Sequence, residues 1–323
     1  MTTTTTRRLT KVMGCRATLR VSAASRRESD RLLALAVRRL RQLEGCWSRF
    51  LPESDVSRLN RAGGRMVDVD PATVVLVSAM ATAMRVTAGA FDPTLLGTIV
   101  GLGYGPAWSG GAGRCSLASP GQDLPRRIDW IGETMVDVDA SRVAIPCEVQ
   151  LDPGAIGKGL AADIVADELS DAGALAVAAA IGGDVRTSAP ATVGIAAPDG
   201  SGRIVDRIRL ASGGVATSGT GRRWIGPDGR VVHHVLDPRT RRPVRRCDSD
   251  EIVQMSVAAA SGASAEVWAT AAFVDGPARI AERLDRWGVA ALAIAQDGSQ
   301  APNSAWRLLR AVPVNHCVRA VAV

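Results

Sequence analysis

The chain is poor in aromatic residues and has no long hydrophobic segment. Aromatic residues make up 3% of its 323 residues, and no apolar run reaches the roughly 18–20 residues that a membrane-spanning helix needs. The first residues are threonine-rich and basic, and they lack the apolar stretch of about 7–15 residues found in secretory signals. These absences exclude a membrane span and predict a cytoplasmic protein.

The six cysteines are too widely spaced for a familiar metal or disulfide framework. No two of them form a CxxC pair, which argues against a zinc ribbon and against a small disulfide-rich fold. We therefore expect free thiols in a reducing compartment. The two common nucleotide-binding patterns are also absent: GxxxxGK followed by Ser or Thr, and GxGxxG after a strand.

The chain is basic, with a formal net charge of +7 and a sequence pI near 9.7. Arginines cluster within residues 38–41, 222–223 and 239–246. Nucleic-acid-binding proteins have such clusters, but no zinc finger, basic zipper or aromatic RNA-recognition motif accompanies them here. We expect no nucleic-acid partner. The positive charge is compatible with attraction of a phosphorylated small ligand.

The spacing of apolar and turn-forming residues predicts a mixed fold. Residues 1–10 are expected to be a flexible tail and residues 11–323 a single domain. Asp70-Pro71 is a typical helix start, and the helix that follows should end at Gly89. A stretch rich in Gly, Pro and Ser predicts a long surface loop over residues 105–127.

Further elements follow from apolar periodicity. Helices are predicted over residues 27–43, 158–169, 264–274 and 277–286. Strands are predicted over residues 11–21, 174–181, 192–197, 203–210, 230–235, 251–257 and 289–295. Because strands and helices are mixed rather than strictly alternating, the pattern favours an α+β fold over a doubly wound sheet.

The segment from Leu151 to Asp163 is the most informative part of the chain. It places Asp152, a glycine-rich turn and Lys158 at a predicted helix start. Backbone N–H groups, the positive end of the helix dipole and a point cation together suit a phosphate. Asp152 could bind a ribose hydroxyl, a flavin edge or a metal-bound water. Taken alone, the segment is also compatible with an ordinary loop-to-helix junction and a solvated lysine.

Two later segments carry polar side chains of interest. Thr217-Ser218-Gly219 lies at a glycine-rich turn and could hydrogen-bond a phosphate or a flavin, or simply connect two elements. His233 and His234 are adjacent in a predicted strand, so they point to opposite faces and only one can enter a shared site. Histidine is the side chain best suited to move a proton near neutral pH. Asp237-Pro238, just beyond, is compatible with a backbone turn.

Glu266 and Thr270 are four residues apart and share one face of a predicted helix. A carboxylate, a hydroxyl and a backbone carbonyl form a hard-oxygen site that suits Mg²⁺. The alternative is a solvated glutamate beside a threonine that bonds back to its own helix.

Eight segments, in this order, resemble the consensus motifs of the ApbE family, the FAD:protein FMN transferases. They are Met13-Gly14, Ser48 to Asn60, Gly89 to Thr94, Asp152 to Gly159, Gly182-Gly183-Asp184, Thr217-Ser218-Gly219, His233 to Pro243 and Ala265 to Ala271. The resemblance covers residues 11 to 296. It implies a single α+β catalytic domain similar to the T-fold class, with mixed sheets and packed helices.

The resemblance also implies a site and a reaction. Expected FAD contacts are Met13, Phe50, Ala90, Phe91, Asp92, Asp152, Lys158, Thr217 and the His234-Val235 segment. Expected Mg²⁺ ligands are the backbone oxygens of Ala155 and Ala269 and the side chains of Glu266 and Thr270. In the implied reaction, a threonine hydroxyl of an acceptor flavoprotein attacks the FMN-side phosphorus of FAD and AMP leaves, with His234 as the group that positions or deprotonates the hydroxyl.

Two positions depart from the family pattern and keep alternatives open. Glu266 stands where the family has aspartate, and Arg241 stands where a glycine follows the threonine. A longer acid shifts the position of any bound cation, and a changed turn alters the neighbouring backbone. The alternatives are an FAD pyrophosphatase that releases FMN and AMP, and a flavin-binding protein without catalysis.

Overall fold

The computed structural model describes residues 3–104, 129–221, 223–244, 251–276, 283–310 and 318–320. The strands are β1 (Thr4–Val12), β2 (Cys15–Ala23), β3 (Val67–Asp68), β4 (Met135–Asp137), β5 (Arg142–Ala144), β6 (Ala176–Ile181), β7 (Asp184–Thr187), β8 (Ala191–Ala196), β9 (Ile204–Leu210), β10 (Gly213–Gly219), β11 (Arg223–Ile225), β12 (Val231–His233), β13 (Leu236–Asp237), β14 (Arg242–Pro243), β15 (Ile252–Ala259), β16 (Ala290–Ala295), β17 (Gln300–Pro302) and β18 (Val318–Ala320). The helices are α1 (Arg26–Trp47), α2 (Asp55–Arg61), α3 (Pro71–Val86), α4 (Leu96–Gly101), α5 (Trp130–Glu133), α6 (Gly157–Asp171), α7 (Gly262–Asp275) and α8 (Ser304–Leu309).

The chain divides into two compact units. Unit 1 comprises Met1–Glu44, Ala155–Arg222 and Val244–Val323, and unit 2 comprises Gly45–Gly154 and Arg223–Pro243. The predicted α+β class, with mixed sheets and packed helices, is confirmed. A single domain over residues 11–323 stays a prediction.

Unit 1 is built on an antiparallel sheet of eight strands in the order β1-β2-β6-β7-β10-β15-β16-β17. Along β2, Ala17, Leu19 and Val21 are buried and alternate with more accessible residues, as expected for a strand with one face on the core. A second sheet, β18-β8-β9, packs on the central strands. Their shared core includes Val185, Val193, Ile195, Ile208, Val215, Leu292 and Trp306.

Unit 2 contains helices α2 to α5 and three small sheets. The predicted helix start at Asp70-Pro71 is confirmed, since the Asp70 side chain accepts a hydrogen bond from the Ala72 N–H and Pro71 occupies the first turn of α3. The helix ends at Val86, and the chain turns at Gly89 with a positive φ of 79°. Among the described residues, no helix is both long and apolar enough to cross a membrane.

The N-terminal residues differ from the sequence prediction. The expected tail over residues 1–10 is instead largely strand β1, which pairs with β2 from Thr4↔Ala23 to Val12↔Cys15. Threonine is a good strand former because its branched Cβ fits a pleated surface. The polar character of these residues therefore reflects an edge strand rather than disorder. The loop predicted over 105–127 and the start of the helix predicted over 277–286 lie outside the described residues.

A close contact joins α6 to α7 in unit 1. Gly159 of α6 lies against Gly262 of α7, and a Cβ built on Gly159 would stand 2.3 Å from the Gly262 carbonyl oxygen. Asp163, one turn further along α6, accepts hydrogen bonds from the N–H groups of Gly262 and Ala263 at 2.7 and 2.8 Å. These N–H groups begin α7 and lack partners within their own helix, so the Asp163 carboxylate caps the helix and complements its dipole.

This contact predicts opposite effects for the same substitution at two helical glycines. Gly159→Ala should lower the free energy of unfolding by about 1–3 kcal/mol, because the added methyl group must push the two helix backbones apart. Gly45→Ala, in α1 with no atom within 4 Å of the new Cβ, should leave it unchanged or raise it by up to about 1 kcal/mol. Urea denaturation measures both. Equal effects at the two positions would contradict the contact.

Candidate active site

The residues predicted to form the site fall into two groups, one in each unit. Unit 1 holds Met13, Ala155, Lys158, Thr217, Glu266, Ala269 and Thr270, and unit 2 holds Phe50, Ala90, Phe91, Asp92, Asp152, His234 and Val235.

In unit 1, one lysine lies between two buried acids. Lys158 is in the first turn of α6, Asp184 begins β7 after the Gly182-Gly183 turn, and Glu266 is in the second turn of α7. The Lys158 ammonium forms ion pairs with the Glu266 carboxylate and, at 3.2 Å, with Asp184 Oδ2. The other Glu266 oxygen accepts a 2.8 Å hydrogen bond from the Gly159 N–H. The α6–α7 contact therefore brings this cluster together.

The charges in this cluster do not balance. The Asp184 and Glu266 side chains are only 6% and 4% exposed, and a single ammonium serves both. Burial raises the pKa of Glu266 to about 7, with the Asp184 charge adding to the shift and Lys158 opposing it. Burial alone would lower the pKa of Lys158, but the two carboxylates outweigh it and raise the pKa. When both acids are ionised, the cluster therefore has one more negative than positive charge, which a further cation would offset.

Hydroxyl groups border the two carboxylates. Thr217 is buried, donates its backbone N–H to Asp184 at 3.4 Å, and shares a 2.9 Å side-chain hydrogen bond with Ser256. Thr270, one helical turn beyond Glu266, lies 3.1 Å from the Ser218 hydroxyl. Carboxylate and hydroxyl oxygens are ligands that Mg²⁺ prefers, so the donor set and its negative charge fit this ion. Among the described residues, no three His, Cys, Asp or Glu side chains form a metal-binding group.

In unit 2, Asn60 fixes the strand-like segment that leads to Asp152. Its amide donates to the Leu151 carbonyl at 2.9 Å and accepts from the Leu151 N–H at 2.8 Å, so both backbone groups of Leu151 are held. The N–H of Asp152 then bonds to the Pro93 carbonyl, and its carboxylate forms an ion pair with Arg49 at 3.3 Å. The backbone of Asp152 is therefore held by the Pro93 carbonyl, and its carboxylate is held by the Arg49 side chain.

A row of flat groups continues from this ion pair. The Arg49 guanidinium lies 4.2 Å from the centre of the Phe50 ring and 5.6 Å from that of Tyr104. Tyr104 in turn stacks on His234, with ring centres 6.1 Å apart and planes 24° apart. Phe50 is 42% exposed, which is unusual for a large aromatic side chain. A cation between aromatic faces and an accessible ring suit recognition of a flat, conjugated ligand.

The remaining predicted residues have varied surroundings. Ala90 and Phe91 are 7% and 1% exposed, so their side chains contribute to the core of unit 2. The Asp92 carboxylate accepts hydrogen bonds from the N–H and hydroxyl of Thr94. Met13 forms the β1–β2 turn with Gly14 and has a φ of 53°, a conformation uncommon for a residue with a side chain. Val235 is buried, Ala269 is buried within α7, and Ala155 ends a short 3₁₀ turn.

Several site residues were missed by sequence reasoning. Asp184 directly follows two glycines in the Gly182-Gly183-Asp184 motif, and this position is the sequence signal for its role. For Arg49 the signal is its position next to Phe50 in the Ser48 to Asn60 motif. Tyr104 carries no local signal, because its position beside His234 depends on the fold of unit 2.

The structure gives a physical meaning to both departures from the family pattern. Arg241 has a φ of 53°, a conformation that a glycine adopts without strain. Glu266, longer than aspartate by one methylene, reaches both the Lys158 ammonium and the Gly159 N–H.

Comparison with known proteins places the chain in a family. The ApbE family pattern matches residues 13–293, and the chain belongs to the ApbE family. Solved structures with the same α+β fold include the ApbE protein of Thermotoga maritima, at a TM-score of 0.75 and 22% identity, covering 96% of this chain and 100% of the other. Another is the flavinyl transferase ApbE of Pseudomonas stutzeri, at 0.73 and 23%, covering 97% and 98%.

Relatives by sequence carry the name FAD:protein FMN transferase. The protein from Rhodobacter capsulatus is 31% identical over 270 residues, which is 80% of this chain and about half (49%) of that protein. The protein from Vibrio cholerae is 28% identical over 253 residues, or 75% and 72% of the two chains.

The charge cluster predicts different effects at the two lysines of the chain, Lys11 and Lys158. Lys158→Met should lower the free energy of unfolding by about 2–3 kcal/mol, because two buried carboxylates lose their cation; the 20% exposure of the Lys158 side chain keeps this below the full cost of a buried pair. Adding Glu266→Gln should recover part of the loss. Lys11→Met, at an exposed strand position, should cause none. Chemical denaturation measures all three variants, and a stable Lys158→Met protein would contradict the cluster.

Proposed function

We propose that this protein is an FAD:protein FMN transferase that moves FMN from FAD to a threonine hydroxyl of an acceptor flavoprotein. The observation that carries the proposal is the family match over residues 13–293, together with relatives of that name. The cluster around Lys158 and the stacked groups beside His234 support it, since the first suits a metal ion that can in turn bind phosphate and the second suits a flat ligand.

We propose FAD contacts from both groups of residues. In unit 2, Phe50, Asp152 and the His234-Val235 segment are the proposed flavin contacts, and Arg49 and Tyr104 contact Phe50 and His234. Ala90, Phe91 and Asp92 contribute through their backbone and the Asp92 carboxylate. In unit 1, Lys158, Thr217 and Met13 are the proposed contacts. The backbone N–H groups at the start of α6 are proposed to bind phosphate, as such groups do at other helix N-termini.

The reaction forms one P–O bond and breaks another. The threonine oxygen of the acceptor bonds to the FMN-side phosphorus, the phosphoanhydride bond of FAD breaks, and AMP leaves with the bridging oxygen. The proton of the threonine hydroxyl passes to His234, whose imidazole is partly exposed and held by stacking on Tyr104. Because the nucleophile belongs to another protein, the chain needs no serine or cysteine nucleophile of its own.

We propose Mg²⁺ as the metal of this site. Glu266 and Thr270 would hold it through their side chains, and Ala155 and Ala269 through backbone oxygens. When bound, the ion neutralises charge on the pyrophosphate. The excess negative charge shared by Asp184 and Glu266 is the feature of this chain that favours its binding.

Substitution of His234 separates binding from transfer. His234→Ala should retain FAD but slow transfer by about 10²–10⁴-fold, the range for loss of a general base. His234→Phe keeps a flat ring on Tyr104 without a proton acceptor and should be equally slow. His233→Ala, which removes among others the hydrogen bond that His233 Nδ1 accepts from the Val235 N–H, should remain active. Fluorescence titration of FAD and mass spectrometry of a co-expressed acceptor give the two readouts.

An active His234→Phe enzyme would show that the ring acts by stacking alone and would remove His234 from the proton transfer. If the variants and the wild type all cleave FAD while the acceptor gains no FMN, the protein is a pyrophosphatase instead.

Removal of divalent metal tests the proposed ion. EDTA should stop transfer by the wild-type enzyme, and added Mg²⁺ should restore it. Glu266→Gln keeps the shape of the side chain but removes its charge, so it should need a higher Mg²⁺ concentration for half-maximal activity. Turnover that persists in EDTA would contradict the metal site, whatever the variant does.

A further inference from the structure

One face of the large sheet in unit 1 carries a row of positive charges. The core face of β2 is buried, and the opposite face presents Arg16 and Arg20. The β1–β2 register places Arg7 directly across from Arg20 and Lys11 directly across from Arg16. The second sheet, β18-β8-β9, covers the same face of the large sheet at the central strands, through the core around Val185 and Ile208. The basic residues of β1 and β2 therefore lie beside the second sheet.

Like charges directly opposite each other on neighbouring strands destabilise a sheet. Arg7, Lys11 and Arg16 are exposed, and Arg20 is partly exposed. Among the residues that the structure describes, no acidic side chain pairs with any of the four. The stability of the strand pair therefore does not account for two repulsive pairs on one face, since one acid in each pair would be more favourable.

The same face borders a groove with a fifth cation. The groove has a volume of about 340 Å³ and lies between β2, β6 and the segment that leads into β8 and β9. Arg20 and Arg209 both line it, and Arg209 is exposed and without an ion pair to any described residue. Ala176 and Ala178 supply small side chains, and Thr5, Ser22 and Thr192 supply hydroxyls. We call Arg7, Lys11, Arg16, Arg20 and Arg209 the basic face.

We infer that the basic face binds an extended, acidic segment of a partner polypeptide. Carboxylates offset the repulsion between the paired cations, and charge complementarity of this kind directs partner choice and speeds association. Small alanines let a partner backbone approach closely, while the hydroxyls of the groove can pair with its N–H and C=O groups. An extended chain advances about 3.3 Å per residue, the same as the strands below it, so acidic residues four positions apart match the spacing of Arg7 and Lys11 and of Arg16 and Arg20.

Protection of the sheet edge and binding of nucleic acid are two roles that fit these charges less well. Basic residues on an edge strand often prevent edge-to-edge aggregation, but that role requires charges on β1 alone and does not account for Arg16, Arg20 and Arg209. A single-stranded nucleic acid is usually bound with aromatic side chains on which bases stack. The described residues of this face and groove include none.

The identity of the partner rests on the proposed function, under which the acidic segment belongs to the acceptor flavoprotein. Binding to the basic face itself requires neither FAD nor metal. The two proposals can therefore fail separately: a protein that transfers FMN but binds no acidic peptide would overturn only this inference, and the reverse result only the proposed function.

The test uses the full chain and a fluorescein-labelled peptide of about ten residues with alternating glutamate and serine. Fluorescence anisotropy at low salt should show binding that weakens as salt rises. Arg20→Glu and Arg209→Glu should each weaken it about tenfold or more. Arg41→Glu, an equal change of net charge at an exposed position of α1, should have little effect. A peptide with glutamine in place of glutamate should not bind.

Arg7→Glu adds a second measurement, which distinguishes peptide binding from a purely structural role of these charges. It converts the repulsion between Arg7 and Arg20 into an attraction, so it should raise the Tm by about 1–2 °C. The same substitution should lower the affinity for the peptide. The inference is overturned if Arg41→Glu weakens binding as much as Arg20→Glu, or if Arg7→Glu stabilises the protein without affecting the peptide. It is also overturned if a ten-nucleotide oligothymidylate binds more tightly than the peptide and loses affinity with the same variants.

Discussion

The contact between the first turns of α6 and α7 is the constraint on which the charge cluster of unit 1 depends. Two glycines, Gly159 and Gly262, allow the helix backbones to touch, and Asp163 holds the start of α7 by its free N–H groups. A larger residue at Gly159 would push the helices apart. The Lys158–Glu266 ion pair and the hydrogen bond from the Gly159 N–H to Glu266 both cross this contact. The ion pairs of this site therefore depend on the close packing of these two glycines.

The same contact creates an electrostatic imbalance. It brings Lys158 to Glu266, and the β7 start adds Asp184, so two buried acids share one cation. A cluster that served stability alone would have equal numbers of opposite charges, since an uncompensated buried charge is costly. An excess of negative charge beside the Thr270 and Ser218 hydroxyls is instead what a cation-binding site requires. The excess of carboxylates over ammonium groups therefore lowers the stability of the fold and also favours the proposed metal binding.

Much of the fold was predictable because local rules govern it. The helix start at Asp70-Pro71 follows from capping. The strand predicted over residues 11–21 overlaps β2, but the Met13-Gly14 turn divides it between β1 and β2. The ordered motifs also indicated that Lys158 and Glu266 belong to one site. The row from Arg49 through Tyr104 to His234 was not predictable, since it joins residues more than 100 positions apart through the fold of unit 2. Strand β1 was missed because polar threonines signal both an edge strand and a disordered tail.

The central claim is that FAD is split in order to modify another protein. The most direct measurement is the stoichiometry of one reaction, in which AMP released from FAD is quantified beside the FMN gained by an acceptor flavoprotein, the latter by intact-mass spectrometry. The account predicts one AMP for each threonine modified and almost no AMP without acceptor. AMP released at the same rate with and without acceptor, while the acceptor mass stays unchanged, would contradict it.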